Sequence, residues 1–366
     1  MIETVLPVKL YGSKISYYTG KMEAYLRFKE IPYQFKGASP EIIKRLFEKT
    51  GTSQIPALEL PDGRFLTDTT PTIDFLEELY PCHPVIPSDP VLRFFSKLVE
   101  DYADEWLWRP AMHYRWSYKN DRILLSSLIA EEILAGMPYP NWILRQFMKF
   151  RQWYYYVYRD GVSADTREHV EGIYLQTLDH LSRIFEVRPF ILGDRPSLVD
   201  FGFFASMFRH FAHDPTPSRI MRETSPLVFD WQARLWSARG SEVIGMLLDE
   251  VPKDWYPILS EIGDAYLPFL NANARAFNEG QSRFEVRIQQ VRYRNIPVSR
   301  YRVWCLQVLR DRLEALELLA RQRVESILQD NNCLKPMMEI SNIGSSCYSD
   351  IEVPFQGIKV LYQNRS

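Results

Sequence analysis

Cysteine is scarce in this chain. Its 366 residues include only Cys82, Cys305, Cys333 and Cys347, and no two of them form a Cys-x-x-Cys pair. No histidine cluster has metal-site spacing either. These absences argue against a zinc site and a disulfide framework, and they favour a reducing compartment. We therefore expect a cytoplasmic protein without a metal cofactor.

Long apolar runs are also missing. No run approaches the ~18 residues that a membrane-spanning helix needs. The first twelve residues, MIETVLPVKLYG, lack the basic and apolar regions of a signal peptide. A net charge of −2 gives no overall attraction to nucleic acid or to a membrane. The apolar fraction of 46% is ordinary for a folded protein, and the length predicts two or three domains.

Residues 1–80 alternate between strand and helix patterns. In order, the segments read as strand, helix, strand, helix, strand, strand and helix: PVKLYG, TGKMEAYLRFKE, YQFKGA, SPEIIKRLFEKTG, QIPALEL, GRFLTD and TPTIDFLEELYP. The first three elements predict a βαβ unit with parallel strands. The sequence therefore predicts an α/β N-terminal domain.

The composition changes after this domain. Residues 81–90 are rich in proline and predict a linker, because proline disrupts helices and central strands. Residues 91–250 carry helical patterns and predict an all-helical domain. Within it, Ser197 and Asp200 have the spacing of a helix-capping box, for which a structural role is favoured.

Residues 251–366 predict a C-terminal extension. Phe284, Val286 and Ile288 alternate with polar residues, which predicts a hairpin over about 283–305 with a turn near 295–297. A helix over about 306–328 should cover the hairpin through apolar residues such as Leu309, Leu313 and Leu316. The tail beyond it has no assignable pattern.

Four segments, in order over roughly residues 8–235, resemble those of glutathione transferases. They are SYYTGKMEAYLRFKEIPYQF, SQIPALEL, GRFLTDTTPTIDFLEELYP and FILGDRPSLVDFGFF. The resemblance implies a thioredoxin-like α/β N-terminal domain, an all-α C-terminal domain, glutathione as co-substrate and a homodimer. The extension falls outside the common family pattern and resembles a long-tailed bacterial branch.

The resemblance also implies a glutathione site. Ile55, before a cis Pro56, would pair with the cysteinyl amide of glutathione like an added strand. Asp68 would accept bonds from the ligand's α-ammonium, and Thr69 with the helix N-terminus would hold its α-carboxylate. Gln54 stands where a lysine often meets the glycyl carboxylate. The simpler alternative for Asp68 and Thr69 is helix capping.

A row of hydroxyl side chains, Ser16, Tyr17, Tyr18 and Thr19, precedes the first helix pattern. A thiol has a pKa of about 8.5, and lowering it by ~2 units takes ~2.7 kcal/mol of thiolate stabilisation. A helix N-terminus and a hydroxyl donor can supply this. Alignment with the family's Ser-x-x-Ser/Cys pattern places Thr19 at the catalytic position, whereas its tyrosine-type pattern favours Tyr17 or Tyr18. The loop has no cysteine, which disfavours thiol–disulfide exchange.

An aromatic segment, DYADEWLWRPAMHYRWSY, is a candidate wall for an apolar second substrate. Its pocket candidates are Trp108, His113 and Trp116, although core packing explains most such rings. His113 has a structural role as its alternative.

Three functions remain open. The first is a glutathione transferase that activates the thiolate against an apolar electrophile, as in detoxification. The second is a non-catalytic glutathione-transferase-like protein that binds a partner through its extension. The third is nucleic-acid contact by the hairpin, where six arginines over residues 283–302 face one acid, Glu285. The nearly neutral chain disfavours the third.

Overall fold

The computed structural model describes residues 7–340 and begins with a four-stranded sheet in the order β2-β1-β3-β4. Strand β1 is parallel to β2 and antiparallel to β3, and β3 is antiparallel to β4. The elements are β1 (Val8–Gly12), α1 (Tyr17–Phe28), β2 (Tyr33–Gly37), α2 (Pro40–Thr50), β3 (Ala57–Glu59), β4 (Phe65–Thr67) and α3 (Thr69–Leu79). This order confirms the predicted thioredoxin-like fold.

The local sequence explains the bounds of α2. The Ser39 side chain caps its first turn by accepting the Ile42 N–H, and Pro40 occupies its first position. Gly51 ends the helix in the left-handed region with a φ of 75°, a conformation that glycine adopts without strain.

A helical body follows, and it fits the predicted all-α part of the fold. Its elements are α4 (Pro90–Glu105), α5 (Trp108–Ser117), α6 (Lys119–Glu132), α7 (Asn141–Trp153), a π-helical turn (Tyr154–Tyr158), α8 (Arg167–Phe185), α9 (Leu198–Ser206), a second π-helical turn (Met207–Phe211), α10 (Pro215–Thr224) and α11 (Pro226–Ser237). Helix α9 packs between α4 and α1 and so joins the body to the N-terminal domain.

The start of α9 is fixed by the Asp200 carboxylate. It accepts the Ser197 N–H at 2.9 Å and the Ser197 hydroxyl at 2.8 Å. It also accepts the N–H of Ile191 and the indole N–H of Trp231. These bonds compensate for burying the carboxylate, which fits the structural role expected for this pair.

The part of the extension that the structure describes contains helices and a β-hairpin. A 3₁₀ turn (Lys253–Trp255) and α12 (Tyr256–Glu261) lead through a third π-helical turn (Ile262–Tyr266). The elements that follow are α13 (Leu267–Asn278), β5 (Arg283–Ile288), β6 (Val291–Pro297), α14 (Arg300–Glu314), α15 (Leu318–Asp330) and α16 (Leu334–Met338). The predicted hairpin is therefore present as β5 and β6. Cys347 and the rest of the unassigned tail lie outside the described residues.

The hairpin's turn differs from the prediction. It lies at Gln289 and Gln290, which have φ values of 46° and 72°, and not near 295–297. Strand β6 ends at Pro297, and the Ser299 side chain caps α14 by accepting the Arg302 N–H. Tyr301 and Val303, predicted on the second strand, therefore lie in a helix.

The helix expected over about 306–328 is in fact two helices. They are separated near Leu316, where Glu317 takes an extended conformation with a ψ of 151°. The apolar face of the hairpin packs against α13, where the Phe269 and Phe284 rings lie 5.6 Å apart. The hairpin thus packs against the helix that precedes it, and the additional cover expected from the later helix through Leu309, Leu313 and Leu316 stays a prediction.

Within residues 7–340, no helix combines the length and apolar character that a bilayer crossing demands.

Candidate functional site

One cavity of about 790 Å³ lies where the N-terminal domain, the helical body and the extension meet. The N-terminal domain contributes the loop before α1, the segment 52–56 and the segment 67–69. The body contributes mainly α5, α7 and the π-helical turn, and the extension contributes residues 297–302. Three parts of the chain therefore build a single candidate site.

Ser16 is the first hydroxyl of this cavity. It lines the cavity and is the N-cap of α1, where its Oγ accepts the Thr19 N–H at 3.4 Å. Its side chain is half-buried, so it can still reach a ligand. A ligand atom beside Ser16 would face both this hydroxyl and the positive end of the α1 dipole.

Thr19 and Tyr17 are engaged elsewhere. The Thr19 side chain is fully buried, rests against Gly12 and accepts the Ser13 N–H at 3.4 Å; it is not among the cavity-lining residues. The Tyr17 ring lines the cavity, but its hydroxyl donates to the Ala103 carbonyl at 2.7 Å. Burial, and next the nearby Asp104 carboxylate, raise the pKa of Tyr17 well above its ordinary value. Of the predicted catalytic candidates, the structure therefore leaves Ser16 the most accessible.

The residues predicted for glutathione, Gln54, Ile55, Pro56, Asp68 and Thr69, all line the cavity. The peptide bond between Ile55 and Pro56 is cis, as the sequence resemblance implied. The backbone N–H groups of Ile55 and Thr69 donate to none of the residues that the structure describes. Both groups are thus available to a ligand.

Asp68 is the acidic centre of this half of the cavity. It caps α3 by accepting the Thr70 N–H at 3.2 Å, with a φ of 68° that is unusual for a residue other than glycine. Burial raises the pKa of its carboxyl to about 6, against the opposing effects of the Tyr301 hydroxyl, the Thr70 N–H and the Lys21 charge. A cationic ligand group that ionises this carboxyl would offset the cost of burying it.

Lys21 lies fully buried behind Asp68. Its ammonium donates to Glu100 at 2.6 Å and to Asp104. Burial alone would lower the pKa of Lys21, but these two carboxylates hold it above its ordinary value. Glu100 also accepts the Thr70 hydroxyl at 2.8 Å, so this ion cluster fixes the first turn of α3 beneath the site.

The predicted second-substrate residues separate into two groups. Trp108 and Trp116 line the cavity, whereas His113 does not. The His113 ring is buried and bonded on both sides, to Glu171 at 2.8 Å and to Ser117 at 2.9 Å. The structure thus gives His113 the structural role that was its alternative.

His210 lines the cavity and was not predicted. Its ring lies 5.3 Å from that of Tyr17 and 6.3 Å from that of Trp108. Burial, and next the Arg115 charge, lower the pKa of His210 well below its ordinary value, so it is neutral at pH 7. No motif or spacing in the sequence distinguished it.

The wall supplied by the extension was also not predicted. Tyr301 hydrogen-bonds the Asp68 carboxylate, and Arg302 pairs with Glu105 and Asp160, each at 3.4 Å. All five residues line the same cavity. The arginine count had suggested nucleic-acid contact by the hairpin. Arg302 instead pairs inside the cavity, and Arg292 and Arg294 both pair with Glu285.

Comparisons with known proteins match the N-terminal domain. Residues 10–84 match the sequence model of the glutathione S-transferase N-terminal domain. A glutathione S-transferase of Triticum aestivum is 33% identical over 87 residues, which are 24% of this chain and 39% of that protein. The chain therefore spans well under half the length of this curated relative.

Two solved structures are among those to which the chain is similar. A β-etherase of Sphingobium sp. strain SYK-6 is 19% identical, with a TM-score of 0.43, over 63% of this chain and 96% of that one. A glutathione S-transferase of Methylobacterium radiotolerans, in complex with glutathione sulfonate, is 19% identical, with a TM-score of 0.39, over 68% of this chain and 100% of that one.

Proposed function

We propose that this chain is a member of the glutathione transferase family, which the match over residues 10–84 supports, and that it binds glutathione in the cavity and transfers it to an apolar electrophile. The observation that carries the proposal is the convergence of Asp68, the free N–H groups of Ile55 and Thr69, and Ser16 on one cavity. Together they complement an extended peptide with an ammonium, a carboxylate, an amide and a thiol.

Each ligand group has a partner in this proposal. Asp68 accepts from the ammonium of the γ-glutamyl group, and the Thr69 N–H at the start of α3 donates to its carboxylate. The Ile55 N–H pairs with the cysteinyl carbonyl in the manner of an added strand. Gln54 lies next to Ile55, where its amide can meet the glycyl carboxylate.

The thiol would then lie at the N-terminus of α1. The dipole of that helix favours a thiolate by about 0.3–1 kcal/mol at an exposed site and more when partly buried. A hydrogen bond from the Ser16 hydroxyl to the charged sulfur adds about 1.5–3 kcal/mol. The sum is of the size needed to lower a thiol pKa from about 8.5 to about 6.5.

The chemistry is nucleophilic attack by the thiolate on an electrophilic carbon of the second substrate. A carbon–sulfur bond forms, and the leaving group departs with the bonding electron pair. The protein contributes thiolate stabilisation and positioning of the two reactants. Trp108 and Trp116 supply apolar surface for the electrophile, which is the role proposed for them from the sequence.

The non-catalytic alternative assigned the extension to a partner protein. The contacts of Tyr301 and Arg302 inside the cavity favour a role for the extension in ligand binding instead. Assembly as a homodimer and location in the cytoplasm remain proposals that rest on the family, and light scattering tests the first of them.

Calorimetry with glutathione and a turnover assay with an activated aryl chloride test the proposal together. We expect glutathione to bind and the chloride to be released. Binding without turnover on any electrophile would favour the non-catalytic alternative, and no binding would refute the proposal.

A further inference from the structure

The charged side chains that line the cavity are mostly paired. Glu105 and Asp160 both contact Arg302, and the Asp160 carboxylate also accepts from the Nε of buried Arg109 at 3.0 Å. Arg115 forms a two-pronged pair with Asp214, at 2.6 and 2.9 Å. These pairs neutralise one another without help from a ligand.

Among the arginines that line the cavity, Arg151 and Arg159 are the exceptions. Both line the cavity, and neither has a carboxylate within ion-pairing distance anywhere in residues 7–340. The Nε of Arg159 is buried and donates to no described residue. An unsatisfied buried guanidinium donor is costly, so its presence beside a cavity indicates a missing acceptor.

The two arginines share one face because of the π-helical turn. Arg151, Tyr155 and Arg159 are spaced four residues apart, and the Arg159 N–H donates to the Tyr154 carbonyl, five residues back. The π turn is wider and rotates less per residue than an α turn, which keeps Arg159 in line with Arg151. Both guanidiniums lie near the Tyr155 ring, at 5.7 and 5.5 Å from its centroid.

We propose that the second substrate is an apolar aromatic compound that carries a carboxylate or a similar anion, and that Arg151 and Arg159 bind this group. The inference rests on the glutathione transferase function proposed above. The apolar part of the substrate would lie against Trp108 and Tyr156, whose rings are 5.6 Å apart in the same wall.

Glutathione is itself an anion, so its carboxylates are the competing occupants. Its proposed partners, Ile55, Asp68 and Thr69, all belong to the N-terminal domain, as does Gln54. The arginines instead lie on α7 and just after the π turn, next to the aromatic wall of the helical body. This separation favours the second substrate as their ligand.

A matched pair of product analogues tests the assignment: S-benzylglutathione and S-(4-carboxybenzyl)glutathione. Calorimetry gives the Kd of glutathione and of both conjugates for the wild type, Arg151→Gln, Arg159→Gln and the double variant. Arg183→Gln on α8, an exposed arginine paired with Asp179, is the control. Melting temperatures verify that each variant is folded.

We expect the wild type and the control to bind the carboxylated conjugate roughly ten- to one-hundred-fold more tightly than the neutral one. The double variant should lose this preference while its affinity for glutathione is unchanged. Equal wild-type affinities for the two conjugates would overturn this inference but not the proposed function. So would a double variant that weakens glutathione as much as the carboxylated conjugate, because the arginines would then bind glutathione. Failure of glutathione itself to bind the wild type would overturn the proposed function as well.

Discussion

Replacement of Asp68 by asparagine should have opposite effects on glutathione binding and on the stability of the free protein. The substitution preserves shape and leaves an amide oxygen to accept from Thr70 and Tyr301. It removes the negative charge that the proposal assigns to the ligand's ammonium. Loss of that charge-assisted bond should cost about 1.5–3 kcal/mol, or roughly a ten- to one-hundred-fold higher Kd for glutathione.

The same substitution should stabilise the free protein at neutral pH. Burial raises the pKa of Asp68 from 3.8 to about 6, which corresponds to at most about 3 kcal/mol, and to less because the residue as a whole is only half-buried. Because the pKa of Asp68 is higher in the folded state than in the unfolded state, its carboxyl contributes most favourably to folding stability below pH 3.8. That contribution is lost as the pH rises through about 6. Asp68→Asn should therefore melt at a higher temperature than the wild type at pH 7, but not at pH 4.

Glutathione affinity should follow the ionisation of Asp68. In the wild type it should fall about tenfold for each pH unit below 6, because the ammonium requires the ionised carboxylate. The variant should lack this dependence. Calorimetry from pH 5 to 8 and thermal melts measure both effects, with Asp179→Asn on the exposed face of α8 as the control. If the variant keeps wild-type affinity and pH dependence, Asp68 does not bind the ammonium.

Three further predictions concern the extension. Tyr301→Phe removes a hydrogen bond that lowers the pKa of Asp68, so glutathione affinity should begin to fall at a higher pH, with KM raised and kcat unchanged. Tyr139→Phe, on the exposed surface, is the control, and a Tyr301→Phe variant with an unaltered pH profile would contradict this role. Arg302→Gln leaves Glu105 and Asp160 without a shared partner and should lower the free energy of unfolding by about 3–5 kcal/mol, which chemical denaturation measures. A loss below about 1 kcal/mol would show that the two contacts of Arg302 do not stabilise the fold. Removal of residues 280–366 uncovers α13 and one wall of the cavity, so it should lower the melting temperature and abolish glutathione binding. A truncated protein that is equally stable and binds glutathione equally well would show that the extension is an independent appendage.

The N-terminal fold was predictable because its signals are local. The Ser39 cap, Pro40 and Gly51 mark α2 from its own sequence, and alternating apolar residues mark the strands. The hairpin was found for the same reason. Its turn was misplaced because Gln289 and Gln290 are unusual residues for positive φ, whereas the Asn295–Pro297 segment looks like a turn.

The extension's role required tertiary information. Helix α13 is buried around most of its surface, so it lacks the polar face that identifies a helix in a sequence. Arg302 appeared to belong to a basic strand, and only the fold shows that it meets Glu105 and Asp160, far away in the chain.

The choice between Ser16 and Thr19 as the hydroxyl that faces the thiol depends on where α1 begins. Ser16 and Thr19 are three residues apart, and both carry a hydroxyl near the start of α1. The motif pattern favoured Thr19, but its side chain turns toward Gly12, while the N-cap side chain faces the cavity. The direction of a side chain at a helix start depends on where the helix begins, which the sequence fixes only to within one or two residues.

The thiol pKa of bound glutathione tests the central claim most directly. Ultraviolet absorbance of the thiolate, followed against pH, gives this pKa for the wild type, Ser16→Ala and Thr19→Val. We predict a pKa about 2 units below the free value of about 8.5 in the wild type and in Thr19→Val, and a rise of about 1–2 units in Ser16→Ala. A bound thiol that titrates like free glutathione in the wild type, or equally in all three proteins, would contradict activation by Ser16 at the start of α1.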